Sequence, residues 1–297
     1  MHPAPSIIAF STFSGLGLGL LFWLGIDPTA PTGWVAFAFF AIAYALAVGG
    51  LISSTFHLGR PERAIKAFTQ WQTSWLSREA WCAVAALVIM GIYAFLLVFF
   101  DTQVAILGWI GAAFALATVY TTSMIYAQLR TVPRWRAWTT PATFLALSLT
   151  GGALLSGQKG PAALLLAASG ILQVWTWLSG DRRLARSGTT LATATGLTGG
   201  TIRPFEPPHT GPNYLTREMV FVVGRRRSRQ LRALAIGLGF ALPLVLLLPL
   251  FGTPGLVLAA LSHVAGVLAQ RWLFFAEAEH VVGVYYGHRV PGAALPA

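Results

Sequence analysis

The chain has 297 residues, 56% hydrophobic and only 10% charged, with a mean hydropathy of +0.67. Soluble domains carry roughly 25% charged residues, so this composition cannot cover a water-exposed surface, and a water-soluble enzyme or a DNA-binding domain is excluded. A net charge of +11 then reads as loop charge rather than as a nucleic-acid footprint.

The apolar residues fall into eight runs, about 6–26, 33–56, 78–100, 104–126, 139–156, 161–179, 231–252 and 254–275. Runs near 20 residues cross a bilayer as helix, so the expected fold is all-α: a polytopic membrane bundle of eight transmembrane helices. The first run has no basic n-region before it and reads as a retained span. The fifth is the weakest, short and interrupted by Pro141, Ser148, Thr150 and the Gly151-Gly152 pair. Turn chemistry at Asp27-Pro28, Gly157-Gln158-Lys159-Gly160 and Gly252-Thr253-Pro254 separates neighbouring runs. Longer polar connections lie at 57–77, 127–138 and 180–230.

Nineteen of the twenty Lys and Arg fall on one side of this alternation, with Arg271 and Arg289 assigned to the tail after the last span. Lys159 alone lies on the other side. Basic loops stay in the cytoplasm, so both termini and the three long connections are expected there, in a bacterial inner membrane. All six glutamates share the basic side. A partner should dock on that face. Trp75-Leu76-Ser77-Arg78-Glu79 before the third span echoes Tyr214-Leu215-Thr216-Arg217-Glu218 before the seventh. The echo suggests two four-helix halves in parallel orientation; a shared helix-start pattern with Ser77 and Thr216 as N-caps explains it equally well.

The hairpin 57–79 holds the densest chemistry. His57 closes the second span and Glu79 opens the third, so their side chains can converge at one membrane depth. Ala45, Gly49 and Ser53 precede His57 at four-residue intervals; a small-residue stripe lets helices approach and would turn His57 into the bundle. Histidine and glutamate can act as general acid and base near neutral pH, as two-proton quinone chemistry requires. The plainer reading is that Glu79 caps a helix or pairs with Arg78 while His57 reaches the interface. Trp71, Trp75 and Trp81 read first as an interfacial aromatic belt, with a quinone stack as the lesser alternative. Pro61-Glu62-Arg63 reads as the first turn of a short helix, with Arg60 and Arg63 facing an acidic partner or lipid headgroups. His263 is the one mid-span histidine, whereas b-type haem usually needs a facing pair. A hydrogen bond to a neighbouring helix is the simpler role. Cys82 is a single cysteine, and iron–sulfur clusters normally need four. No haem or iron–sulfur cluster is expected in this chain.

The segment Ser54-Thr55-Phe56-His57-Leu58-Gly59-Arg60-Pro61-Glu62-Arg63-Ala64, closing with Ser74-Trp75-Leu76-Ser77-Arg78-Glu79, resembles the membrane-anchor subunits of the dimethyl sulfoxide reductase family. The opening Met1-His2-Pro3, the stretch from His209 to Met219 and the tail around Glu279-His280 are similar too. The resemblance implies an eight-helix anchor that binds menaquinone or ubiquinone. It also implies an iron–sulfur partner and, through it, a molybdopterin catalytic subunit. The family's quinol-site histidine would be His57 and its functional glutamate Glu79; Arg60, Trp75 and Arg78 join the site by proximity. A cytoplasmic docking face leans slightly toward sulfite oxidation with quinone reduction, against quinol oxidation by a dimethyl sulfoxide reductase. A secondary transporter built from two halves is the alternative of another class.

Overall fold

The structure, a computed structural model, describes residues 2–56, 60–200, 202–203, 205–206, 211, 213, 219 and 227–286. Among them every regular element is helical. The eight principal helices are α1 (Pro5–Ile26), α2 (Gly33–Thr55), α3 (Trp75–Phe100), α4 (Ala105–Ala127), α5 (Thr139–Leu155), α6 (Lys159–Gly180), α7 (Ser228–Leu246) and α8 (Gly252–Ala276). All but α5 are long and apolar enough to cross a membrane. At ~1.5 Å per residue, the 17 residues of α5 reach less far. Its hydroxyls Thr140, Thr143, Ser148 and Thr150 are buried against other helices, so its polar composition never meets lipid. That explains why the fifth run is the least apolar.

Glycine-rich α1 lies at the centre, packed against α2, α4 and α5. A Cβ at Gly17 would overlap the backbone of Ala43 and Ala47 in α2. One at Gly25 would overlap Gly108 of α4, and one at Gly19 would overlap Ser148 of α5. Small residues therefore set the helix spacing, as expected where lipid supplies no hydrophobic drive between helices. The apolar core divides accordingly. One cluster gathers Leu20, Phe40, Met90, Tyr93 and Val119 from α1–α4; another gathers Leu154, Leu166, Phe240, Ala259 and Val267 from α5–α8.

The expected stripe on α2 meets α1 at Ser53, whose hydroxyl donates to the Ser6 carbonyl at 3.1 Å, and not at its other two positions. Ala45 and Gly49 are exposed, and a Cβ at Gly49 would touch nothing. The packed face carries Ala36, Phe40, Ala43, Ala47 and Gly50, because α1 offers Gly17 and Ser14 on that side. The start of α3 is also shifted: Ser74 rather than Ser77 is its N-cap, with its hydroxyl accepting from the Ser77 N–H at 3.5 Å. Arg271 lies inside α8, 1% exposed, and not in the tail beyond it. Finally, α1 and α7 each contain a π-helical turn, at Phe10–Ser14 and Gly237–Ala241, and both turns pack against α8.

Candidate functional site

The chain returns from α2 to α3 through a 3-10 segment, Pro61–Phe68, with Glu62 in its first turn where the helix dipole favours an acid. The segment is pinned to the first turns of α3. The Ser77 hydroxyl donates to the Ala67 carbonyl and accepts from the Gln70 N–H at 3.2 Å. The Trp81 indole donates to the Phe68 carbonyl at 3.0 Å, and the two rings meet edge to face. Arg78 donates to the carbonyls of Trp71 at 3.0 Å and Gln72 at 2.6 Å, while its guanidinium lies 4.4 Å from the Trp75 ring centre. The Arg78 guanidinium is thus engaged with the hairpin, and it forms no ion pair with Glu79. Trp75 meets Tyr120 of α4 edge to face. Arg60 is exposed at the head of the 3-10 segment. His57 lies outside the described residues, as does the Tyr214–Glu218 echo.

Glu79, in contrast, points into the bundle. It is 5% exposed, and its Oε1 accepts a hydrogen bond from the Thr122 hydroxyl at 2.5 Å. Thr118, Thr122 and Tyr126 recur every four residues on α4 and turn one polar face toward α3 and α8. Tyr126 lies within electrostatic reach of both Glu79 and Arg271. Its ring packs among Trp135, Phe144, Phe274 and Phe275. The Arg271 guanidinium sits 3.6 Å above the Phe144 ring, and its Nε and Nη1 have no hydrogen-bond partner among the described residues. A carboxyl, a phenol and a guanidinium therefore share the bundle interior near its basic end. Ionisable groups are costly at such depth and mark function by default. Sequence reasoning found Glu79 but missed Thr122, Tyr126 and Arg271. The four-residue recurrence on α4 was the available signal.

A second cluster closes the basic end of α6–α8. Asp181 accepts from Arg134 at 2.6 Å and Arg232 at 2.7 Å, and Arg232 also donates to Glu277 at 2.7 Å. Burial pushes the Asp181 carboxyl up, but hydrogen bonds from Arg232 and Arg134 outweigh it and hold the group at about 2. The folded value lies below the unfolded one, so the network stabilises above about pH 4 and loses that contribution as pH falls toward 2. At 42% exposure the gain is screened and modest. Thermal unfolding of the purified protein should therefore lose stability below pH ~4, and Asp181→Asn should flatten part of that acid limb. An unchanged limb in Asp181→Asn would assign it to other carboxylates.

His263 is fully buried in mid-α8, with Nδ1 2.6 Å from the Gly239 carbonyl in the π turn of α7. The expected interhelical bond is present. No group of three or more His, Cys, Asp or Glu side chains suited to a metal occurs among the described residues.

Residues 7–277 match the model for the DMSO reductase anchor subunit, DmsC. The chain belongs to this anchor-subunit family. It is also 32% identical over 326 aligned positions to a sulfite dehydrogenase subunit of Allochromatium vinosum, covering 96% of this chain and 99% of that protein. The anchor-subunit membership, with its apolar helices, makes this a multi-pass membrane protein and a subunit of a larger oxidoreductase assembly, and replaces the transporter alternative.

Proposed function

We propose that this anchor subunit exchanges electrons and protons between the membrane quinone pool and an iron–sulfur subunit, which connects it to a molybdopterin catalytic subunit. The observation that carries the reading is the Glu79 carboxyl, buried beside the hairpin and oriented by Thr122. Reduction of a quinone consumes two electrons and two protons, so the site must supply a proton carrier out of bulk water. Glu79 holds or releases that proton at its carboxyl, and the Thr122 hydroxyl fixes its orientation. His57 is the second proton carrier by resemblance. Trp75 and Arg78 wall the approach from the hairpin, where their cation–π contact keeps both side chains in place. Arg271 supplies a fixed positive charge beyond Tyr126.

About 20 Å along α3 from Glu79, toward the end opposite the hairpin, the bundle offers room for the far part of a long quinone tail. A lipid-facing groove of 280 Å³ runs between α2 and α3, lined by Phe40, Tyr44, Ala94, Phe95 and Val98. Its apolar walls suit an isoprenoid tail. The resemblance to a sulfite dehydrogenase protein favours electrons entering from sulfite and leaving to quinone. The family model, named for dimethyl sulfoxide reductase, keeps the reverse flow as the second reading. The basic face would lie in the cytoplasm of a bacterial inner membrane, following the arginine distribution.

Purification through a tag on this chain tests the assignment. Iron and molybdenum should co-purify, and sulfite should reduce the iron–sulfur centres and then an added quinone. In sealed proteoliposomes this turnover should build little membrane potential, because electrons and protons meet near one face. Failure of both metals to co-purify under mild conditions would sink the anchor assignment; a strong potential would move the proton carriers elsewhere.

A further inference from the structure

The connections after α4 and α6 meet at the basic face around an open cavity of 400 Å³. Arg130 and Arg136 enter it from the first connection, and Arg183 and Arg186 from the second; Ser179, Ser187 and Thr189 complete the polar lining. Arg183 is half-buried there and Arg130, Arg136 and Arg186 are exposed around it, and no carboxylate among the described residues pairs with any of the four. The acid nearest in sequence, Asp181, is already held by Arg134 and Arg232. Arg183 donates only a long 3.5 Å bond, to the Arg136 carbonyl. Burial first, then repulsion from Arg134 and Arg186, lowers its affinity for a proton. Such a cavity calls for an anion.

We propose that it binds the headgroup of an anionic phospholipid, one with two phosphates fitting best. Placement selects a lipid over a soluble anion. The cavity lies where α6 ends at Gly180 and just before α5 begins at Thr139, the level at which lipid headgroups meet a bundle. Trp138, Trp175 and Leu178 are exposed at these same helix ends, as interfacial anchors are. Below them an apolar groove of 530 Å³ runs between α6 and α7, past Trp175, Leu178, Ile171, Phe240 and Leu244. Leu178 in the groove and Ser179 in the cavity are consecutive residues. One molecule with phosphates above and acyl chains below would use both. Each phosphate can accept N–H donors from two arginines, one of them as a forked pair, so four arginines match two phosphates. A soluble anion would leave the groove without a role.

The test uses the purified complex, stripped of lipid and incubated with phosphatidylcholine micelles that do or do not contain cardiolipin. Lipid retained per complex is counted by native mass spectrometry. Wild type should retain cardiolipin selectively. The double variant Arg136→Gln, Arg183→Gln should retain it at least about tenfold less, two of the four phosphate-binding charges being gone. Lys159→Gln, on the opposite face, should behave as wild type, and Arg136→Lys with Arg183→Lys should fall between wild type and the glutamine variant, keeping the charge and losing the forked donors. Equal retention of both lipids by wild type overturns the proposal. So does competition by pyrophosphate as strong as the lipid, which makes the ligand a soluble anion. Loss of the iron–sulfur partner from the glutamine variant, with its lipid count unchanged, also overturns it by making the face a protein-docking surface.

Discussion

Glu79→Gln is expected to lower quinone turnover by about 100-fold or more while sulfite still reduces the iron–sulfur centres of the assembled complex. General acid–base groups contribute on the order of 10²–10⁴, and glutamine retains the shape and the acceptor for Thr122 while losing the exchangeable proton. Folding should survive, because a neutral amide in that buried position removes a charge rather than leaving one unpaired. Thr122→Val should cost about tenfold or less, since it removes the orienting bond and leaves the carboxyl. His57→Ala tests the residue assigned by resemblance in the same assay. The decisive comparison is within one sample: cluster reduction by substrate against cluster oxidation by quinone. Normal quinone turnover in Glu79→Gln would make this carboxyl structural and move the proton carrier elsewhere. Slowed cluster reduction would instead mean the variant disturbs docking of the partner.

The legibility of this site in the sequence has a physical limit. Apolar run length reveals the eight helices, because each span must satisfy its own backbone in lipid. It also places Glu79 near the mouth of α3. Rotation about a helix axis is harder to read when nearly every residue is apolar. Ala45 and Gly49 look as suited to a helix contact as Ala43, Ala47 and Gly50; only the partner surface on α1 selects the second set, and Ser53 joins it through the Ser6 carbonyl. Arg271 was misplaced for a related reason. A cation at the end of an apolar run reads as a snorkelling loop residue, whereas here Phe144 covers it. The pairing of Asp181 and Glu277 with Arg134 and Arg232 joins residues from separate segments, and no local pattern announces it. What the hairpin motif conveyed beyond all this came from family resemblance, not from spacing.

A side chain added where α1 crosses α5 should be more damaging than one at any lipid-facing glycine. A Cβ at Gly152 would overlap the Gly19 backbone and the Leu20 nitrogen, and a Cβ at Gly19 would overlap the Ser148 carbonyl. Main chain cannot step aside as a flexible side chain can. Inserting one or more carbons into a close-packed interior costs about 1–3 kcal/mol even where side chains adjust, so Gly152→Ala should sit at the upper end and Gly152→Val beyond it. Thermal unfolding in detergent should fall clearly for the first, and little assembled protein should be recovered for the second. Gly49→Ala supplies the matched control, because nothing lies within 4 Å of its Cβ position; it should unfold at or above the wild-type temperature, alanine being the better helix former. If Gly152→Ala and Gly49→Ala unfold alike, the α1–α5 seam is not held at backbone contact, and α5 would then have to be kept in the bundle by its hydroxyls alone. The Trp23 indole, bonded to the Leu149 carbonyl at 2.8 Å across the same seam, argues against that outcome.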